Sequence, residues 1–146
     1  MHFLKRGRRS SRTSRCTHMA GEFTTYEEMG IRFSVEFHEV AHSIDPHNLA
    51  VMDALAHAYT ASGQHHKGLE LDRKLVRALP HDPTVRYNLA CSLCLTGNIE
   101  ESIKCLLVAI EGGYDDEAHL MADADLAAAR AHPAFASVVA AFKESA

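Results

Sequence analysis

Five consecutive residues, His38-Glu39-Val40-Ala41-His42, spell H-E-x-x-H. On a helix the two histidines stand one turn apart and can hold zinc, with Glu39 as general base for an attacking water. A zinc-dependent hydrolase with His38 and His42 as metal ligands is therefore one alternative reading. It requires a third ligand and an open coordination position that faces substrate. Glu36 places a charge at a flanking position that such helices usually keep uncharged. The second candidate is Cys91-x-x-Cys94. Redox pairs of this spacing sit at a helix N-terminus, where the dipole lowers the thiol pKa. Here the pair falls in the middle of an expected helix, which suits a packed or groove-lining role. His47, His65, His66 and His81 fall at expected turns, where solvated side chains are the expectation. A Gly-rich phosphate loop, a G-x-S-x-G elbow and paired carboxylates in an evident cleft are all missing from the sequence. The expectation is a non-enzyme without a metal or cofactor.

A repeat in the sequence sets out the helices on which these residues sit. Pro46 and Pro80 are 34 residues apart, as are Gly63 and Gly97, Leu55 and Leu89, and Ala56 and Ala90. Val35, Leu69 and Ile103 continue the same step. Gly63-Gln64 and Gly97-Asn98 predict turns between paired helices, because glycine ends a helix in the left-handed conformation at no steric cost. Gly68 and Ser102 supply small residues where a neighbouring helix must approach closely. Asp45-Pro46 and Asp82-Pro83 punctuate the units, since proline is tolerated in a helix's first turn but not in its interior. Helices of about 13 residues are marginal alone and need stacked neighbours to bury their faces.

With these residues the sequence resembles the tetratricopeptide repeat (TPR) family. Leu49 to Asp82 supplies Met52, Leu55-Ala56, Tyr59, Gly63, Gly68 and Pro80 to the family pattern. Pro83 to Asp116 supplies Arg86, Leu89-Ala90, Leu93, Gly97, Ser102, Leu106 and Ala109. Ser34-Val35 through Ala41 and Ile44-Asp45-Pro46 match the second half of a preceding repeat, so the repeat also claims the H-E-x-x-H residues. Asp72 and His38 replace the pattern's aromatic, and Tyr114 stands where a proline is usual. The resemblance implies an all-α TPR-type helical hairpin solenoid with a half repeat at 22–46, full repeats at 49–82 and 83–116, and C-terminal capping helices over 117–146. It further implies a concave groove lined by the first helix of each unit. The lining would be Ala50, Asp53, Ala54, His57 and Thr60, then Thr84, Tyr87, Asn88, Cys91 and Cys94, with Tyr87 as the aromatic anchor. Family members that grip chaperone carboxylates use a Lys/Asn/Asn/Lys/Arg clamp. Only Asn88 matches it here; Asp53, His57, Ala118 and Ala122 take other places, which argues against anion binding.

Both ends need covering. At the carboxyl end Asp123 reads as an N-cap with Asp125 complementing the helix dipole. Pro133 then opens a last helix whose Phe135, Val138, Val139 and Phe142 form one apolar face. At the amino end Phe33, Phe37, Val40 and Ile44 make a second apolar stripe, whereas the next unit holds Lys67, Leu71 and Lys74 at corresponding outer positions. The expectation is that Phe23 to Ile31 folds back over this stripe; otherwise a second copy or a partner helix covers it.

Length and composition bound the rest. One hundred and forty-six residues make one domain with room for a core. Residues 1–18 hold six of the fifteen Lys and Arg and no acid, leaving a net charge near −10 on 19–146. An acidic body argues against nucleic acid as partner. The Arg/Ser-rich head reads as a disordered, dispensable extension or a targeting segment, with folding starting near Met19. No apolar run approaches the roughly 20 residues that cross a bilayer. Four cysteines without regular spacing do not make a disulfide framework. The functional expectation is a cytoplasmic scaffold, monomer or homodimer, that binds a peptide or helix of a protein partner. A small TPR chaperone for secreted proteins is a second alternative, and membership of a longer repeat array a further one.

Overall fold

The computed structural model describes residues 25–145. The basic head, the first residues of the expected half repeat and Phe23 lie outside them. The described residues are all-helical, with eight α-helices and no strand among them: α1 (Tyr26–Ile44), α2 (Leu49–Ala61), α3 (His65–Ala78), α4 (Pro83–Leu95), α5 (Ile99–Glu111), α6 (Glu117–Ala122), α7 (Ala127–Arg130) and α8 (Ala136–Ser145). From α1 to α5 each helix packs against the next, and α8 returns to cover α5. None of these helices is long and apolar enough to cross a membrane.

The helical boundaries follow local chemistry. Asn48 caps α2 through Val51 N–H, and Asp82 caps α4 through the N–H groups of Thr84 and Val85, with Pro83 in the first turn. The helices α2, α4 and α5 end in the same device. Gly63, Gly97 and Gly113 take φ of 77°, 84° and 103°. The next residue's N–H then reaches back to a carbonyl of the last turn: Gln64 to Tyr59 at 2.8 Å, Asn98 to Leu93 at 2.8 Å and Tyr114 to Ala109 at 2.9 Å. The expected turns at Gly63 and Gly97 are therefore present, and α2 and α4, like α3 and α5, begin 34 residues apart.

Packing joins the helices in series. Val35 of α1 meets Met52, Leu55, Tyr59, Leu71, Leu75 and Val85 in one cluster. Leu69, Leu89 and Leu93 link α3 to α4. A third cluster joins α4 and α5 to the carboxyl-terminal helices through Leu106, Leu120, Leu126, Phe135, Val138 and Phe142. Pro133–Phe135 form a 3-10 turn rather than the start of the last helix, which begins at Ala136; of the expected face Phe135, Val138 and Phe142 are buried and Val139 is only partly buried. Small residues sit where helices approach most closely. A Cβ on Gly68 would meet Thr60 Oγ1 at 3.1 Å and the Ala56 carbonyl at 3.3 Å, and fully buried Ser102 donates to the Ala90 carbonyl at 2.7 Å.

Two expectations about the surface need correction. Thr25 and Glu28 form a reciprocal capping box, so α1 starts at Tyr26 and runs unbroken for 19 residues. Tyr26 to Ile31 therefore cannot fold back over the stripe, and Phe33, Phe37, Val40 and Ile44 are exposed. Leu71, expected to face water, is instead buried beside Leu55 and Leu75.

Candidate functional site

The helices α2 and α4 present side chains to two neighbouring cavities. One, of about 290 Å³, lies between α2, α4 and the chain after α6; it is lined by His57, Thr60, Asn88, Asp72, His119 and Asp123, among others. The other, of about 390 Å³, is lined by Asp53, His57, Thr84, Asn88 and Asp82 among its residues. His57 and Asn88 line both, so the two cavities adjoin at these side chains and together form a trough along α2 and α4. His57 is held by its own helix: its Nδ1 lies 2.9 Å from the Asp53 carbonyl and 3.6 Å from the Asp53 carboxylate. Of the expected groove residues, Asp53, His57, Thr60, Thr84 and Asn88 lie along this trough with at least part of the side chain open to solvent.

Tyr87, Cys91 and Cys94 are buried, although Tyr87 and Cys91 also line the first cavity. The Tyr87 ring stacks on Tyr114 with centroids 4.4 Å apart and planes within 4°, and its hydroxyl donates to Asp123 Oδ2 at 2.6 Å. Tyr114 thus has a packing reason to stand where the repeat pattern has proline. Cys91 lines the first cavity but directs its Sγ to Asp123 Oδ2 at 3.6 Å, and Cys94 packs in the carboxyl-terminal core. Burial raises both thiols, and the Asp123 carboxylate adds to this at Cys91, so the neutral thiol is favoured at each. The pair lacks the activation that redox chemistry requires.

Asp123 is the residue that sequence reasoning placed but undervalued. It caps the turn at Ala124–Leu126 through Asp125 N–H at 2.9 Å, as expected. Its other oxygen receives Tyr87, and Arg130 donates to its carbonyl. These bonds fasten the terminal helices to α4. No one-dimensional pattern pairs Asp123 with a tyrosine 36 residues earlier.

Asp72, which replaces the pattern's aromatic, is buried and accepts a hydrogen bond from Ser92 Oγ. Burial pushes its carboxyl up from 3.8 to about 6; the Ser92 hydrogen bond and His57 pull it down, and Asp53 pushes it up. The native state therefore holds this proton where the unfolded chain has released it, and stability falls as pH rises from about 4 through about 6. Asp72→Asn keeps an acceptor for Ser92 without the charge. The expected result is near-equal stability of variant and parent at pH 4 and a gain on the order of 2 kcal/mol for the variant at pH 7. Urea unfolding at both values checks it.

The H-E-x-x-H residues bond within α1 and across to α2 and α3. His38 Nδ1 lies 2.7 Å from the Ser34 carbonyl. Glu39 accepts the Tyr59 hydroxyl at 2.7 Å and lies 3.8 Å from Lys67 Nζ, which sits over the Tyr59 ring. Burial and the Glu39 carboxylate push the Tyr59 hydroxyl up to about 12. His42 Nδ1 is buried without a hydrogen-bond partner. Among the described residues no three His, Cys, Asp or Glu side chains gather in a way that could hold a metal ion. Of the turn histidines, His47, His66 and His81 are exposed, whereas His65 is half-buried with an unpartnered Nδ1.

Comparison with protein-family models, with curated proteins and with solved structures finds no match to this chain.

Proposed function

We propose that the chain is a TPR-type helical hairpin solenoid that acts as a non-enzymatic protein–protein interaction module in the cytoplasm, holding an extended peptide or helix of a partner in the trough along α2 and α4. The observation that carries this reading is the trough itself: two cavities that share His57 and Asn88, on helices that recur at a step of 34 residues. Fixed-step helical pairs stack into surfaces suited to extended ligands. The trough also has a sign. Asp53, Asp72, Asp82, Asp123 and Asp125 line it, and neither cavity has a Lys or Arg in its lining. A partner segment carrying Lys or Arg is complementary to it.

Selection of peptides from a random library on the full chain tests this reading. Selected binders are expected to be enriched in Lys and Arg and to lose affinity as salt rises. Asn88→Arg places bulk and positive charge where the cavities meet. It is expected to weaken a selected peptide by about 30-fold or more with little change in thermal stability, since Asn88 is only half-buried. Unchanged affinity in that variant contradicts the proposal.

A further inference from the structure

We infer that the outer face of α1 is a self-association surface on which a second copy of this chain docks antiparallel, by a route independent of the trough. Tyr26, Phe33, Phe37, Val40 and Ile44 all lie on the side of α1 opposite buried Val35, with Gly30 completing the row. Their spacings alternate four, three, four, three and four residues, the repeat of a helix–helix seam. All five side chains are more than half exposed, Tyr26 at 94% and Ile44 at 79%. With neighbouring Met29 they offer on the order of 800 Å² of apolar surface per chain, which is what each partner of a standard-size interface contributes.

The row is also self-complementary. A two-fold axis level with Val35 sets Tyr26 against Ile44 of the second copy, Gly30 against Val40, and Phe33 against Phe37. Every seam residue thus finds an apolar or glycine partner through one axis, as an isologous contact requires. Gly30 leaves open space in the row, since an added Cβ there meets nothing within 4 Å. A lipid surface fits less well, because the face is flanked by Glu27 and Glu36 rather than by the Lys and Arg that favour anionic membranes. The same axis brings Glu36 near its own symmetry mate. This like-charge pair opposes the dimer, so association tightens with salt.

Sedimentation equilibrium of the full chain from micromolar to millimolar concentration provides the test. The expected result is a reversible dimer. Each substitution counts twice in a symmetric interface, so Phe33→Glu is expected to weaken it by about 1,000-fold with helix content by circular dichroism unchanged. Gly30→Leu is expected to tighten it by about tenfold or more. Gly30→Gln, which raises helix propensity similarly, serves as the control and should tighten it less. Mixing the parent with Glu36→Lys should favour the mixed dimer over either homodimer. A monomer at every concentration overturns the inference, as does a dimer that Phe33→Glu leaves intact. Dimerisation that occurs only after residues 1–24 are removed also overturns it, by assigning the face to the chain's own amino-terminal segment. Phe33, Phe37 and Val40 lie outside the linings of both trough cavities, so peptide affinity of the Phe33→Glu chain separates the two proposals.

Discussion

Tyr87→Ala is expected to destabilise the chain by about 3–5 kcal/mol and to lower Tm by about 10 °C or more. The ring is buried, stacks on Tyr114 and sits 5.6 Å from the His119 ring, so its removal leaves a void between α4 and the carboxyl-terminal segment. It also removes the hydroxyl that donates to Asp123, although Cys91 and Asp125 N–H still reach that carboxylate. Tyr87→Phe separates the two contributions. It keeps the stacked ring and is expected to cost only about 1–2 kcal/mol. Chemical unfolding of both variants checks this, and a Tyr87→Ala protein as stable as the parent would contradict the packing described. The prediction has a practical consequence: Tyr87 cannot report on partner binding, because changing it loosens the fold.

Leu93→Ala is expected to cost about 3 kcal/mol or more. Leu93 is fully buried and meets Leu69 and Leu89 where α3 packs against α4, the junction between the two 34-residue units. Because neighbouring units share this contact, the loss should appear as one shifted cooperative transition with an unchanged denaturant slope. A second transition belonging to half of the molecule would instead mean that the units fold independently.

Much of this architecture was legible in the sequence because it rests on local chemistry. Gly63 and Gly97 marked the turns, since only glycine reaches a positive φ without strain. Asp82-Pro83 marked the start of α4 through a cap and a first-turn proline. Thr25-x-x-Glu28 carries an equally local signal, the capping box that makes α1 continuous, yet the apolar stripe suggested a fold-back in its place. The trough was legible only in part. His57, Thr60 and Asn88 followed from helical position, but the burial of Tyr87, Cys91 and Cys94 depends on where the carboxyl-terminal segment returns. That return is fixed by long-range contacts such as Tyr87 with Asp123 and Tyr87 with Tyr114, which leave no periodic trace. Leu71 illustrates the same limit: the cluster that buries it draws on α1, α2 and α4 as well as α3, so its burial cannot be read from α3 alone.

On the proposed reading a partner segment lies in the trough lined by α2 and α4. The most direct measurement is the footprint of a selected Lys/Arg-rich peptide on the isotopically labelled full chain, read from backbone amide shifts during titration. Saturable changes are expected to concentrate at Asp53, His57, Thr60, Thr84 and Asn88. A footprint centred on the outer faces of α1 or α5, or no saturable change with any selected peptide, would contradict it.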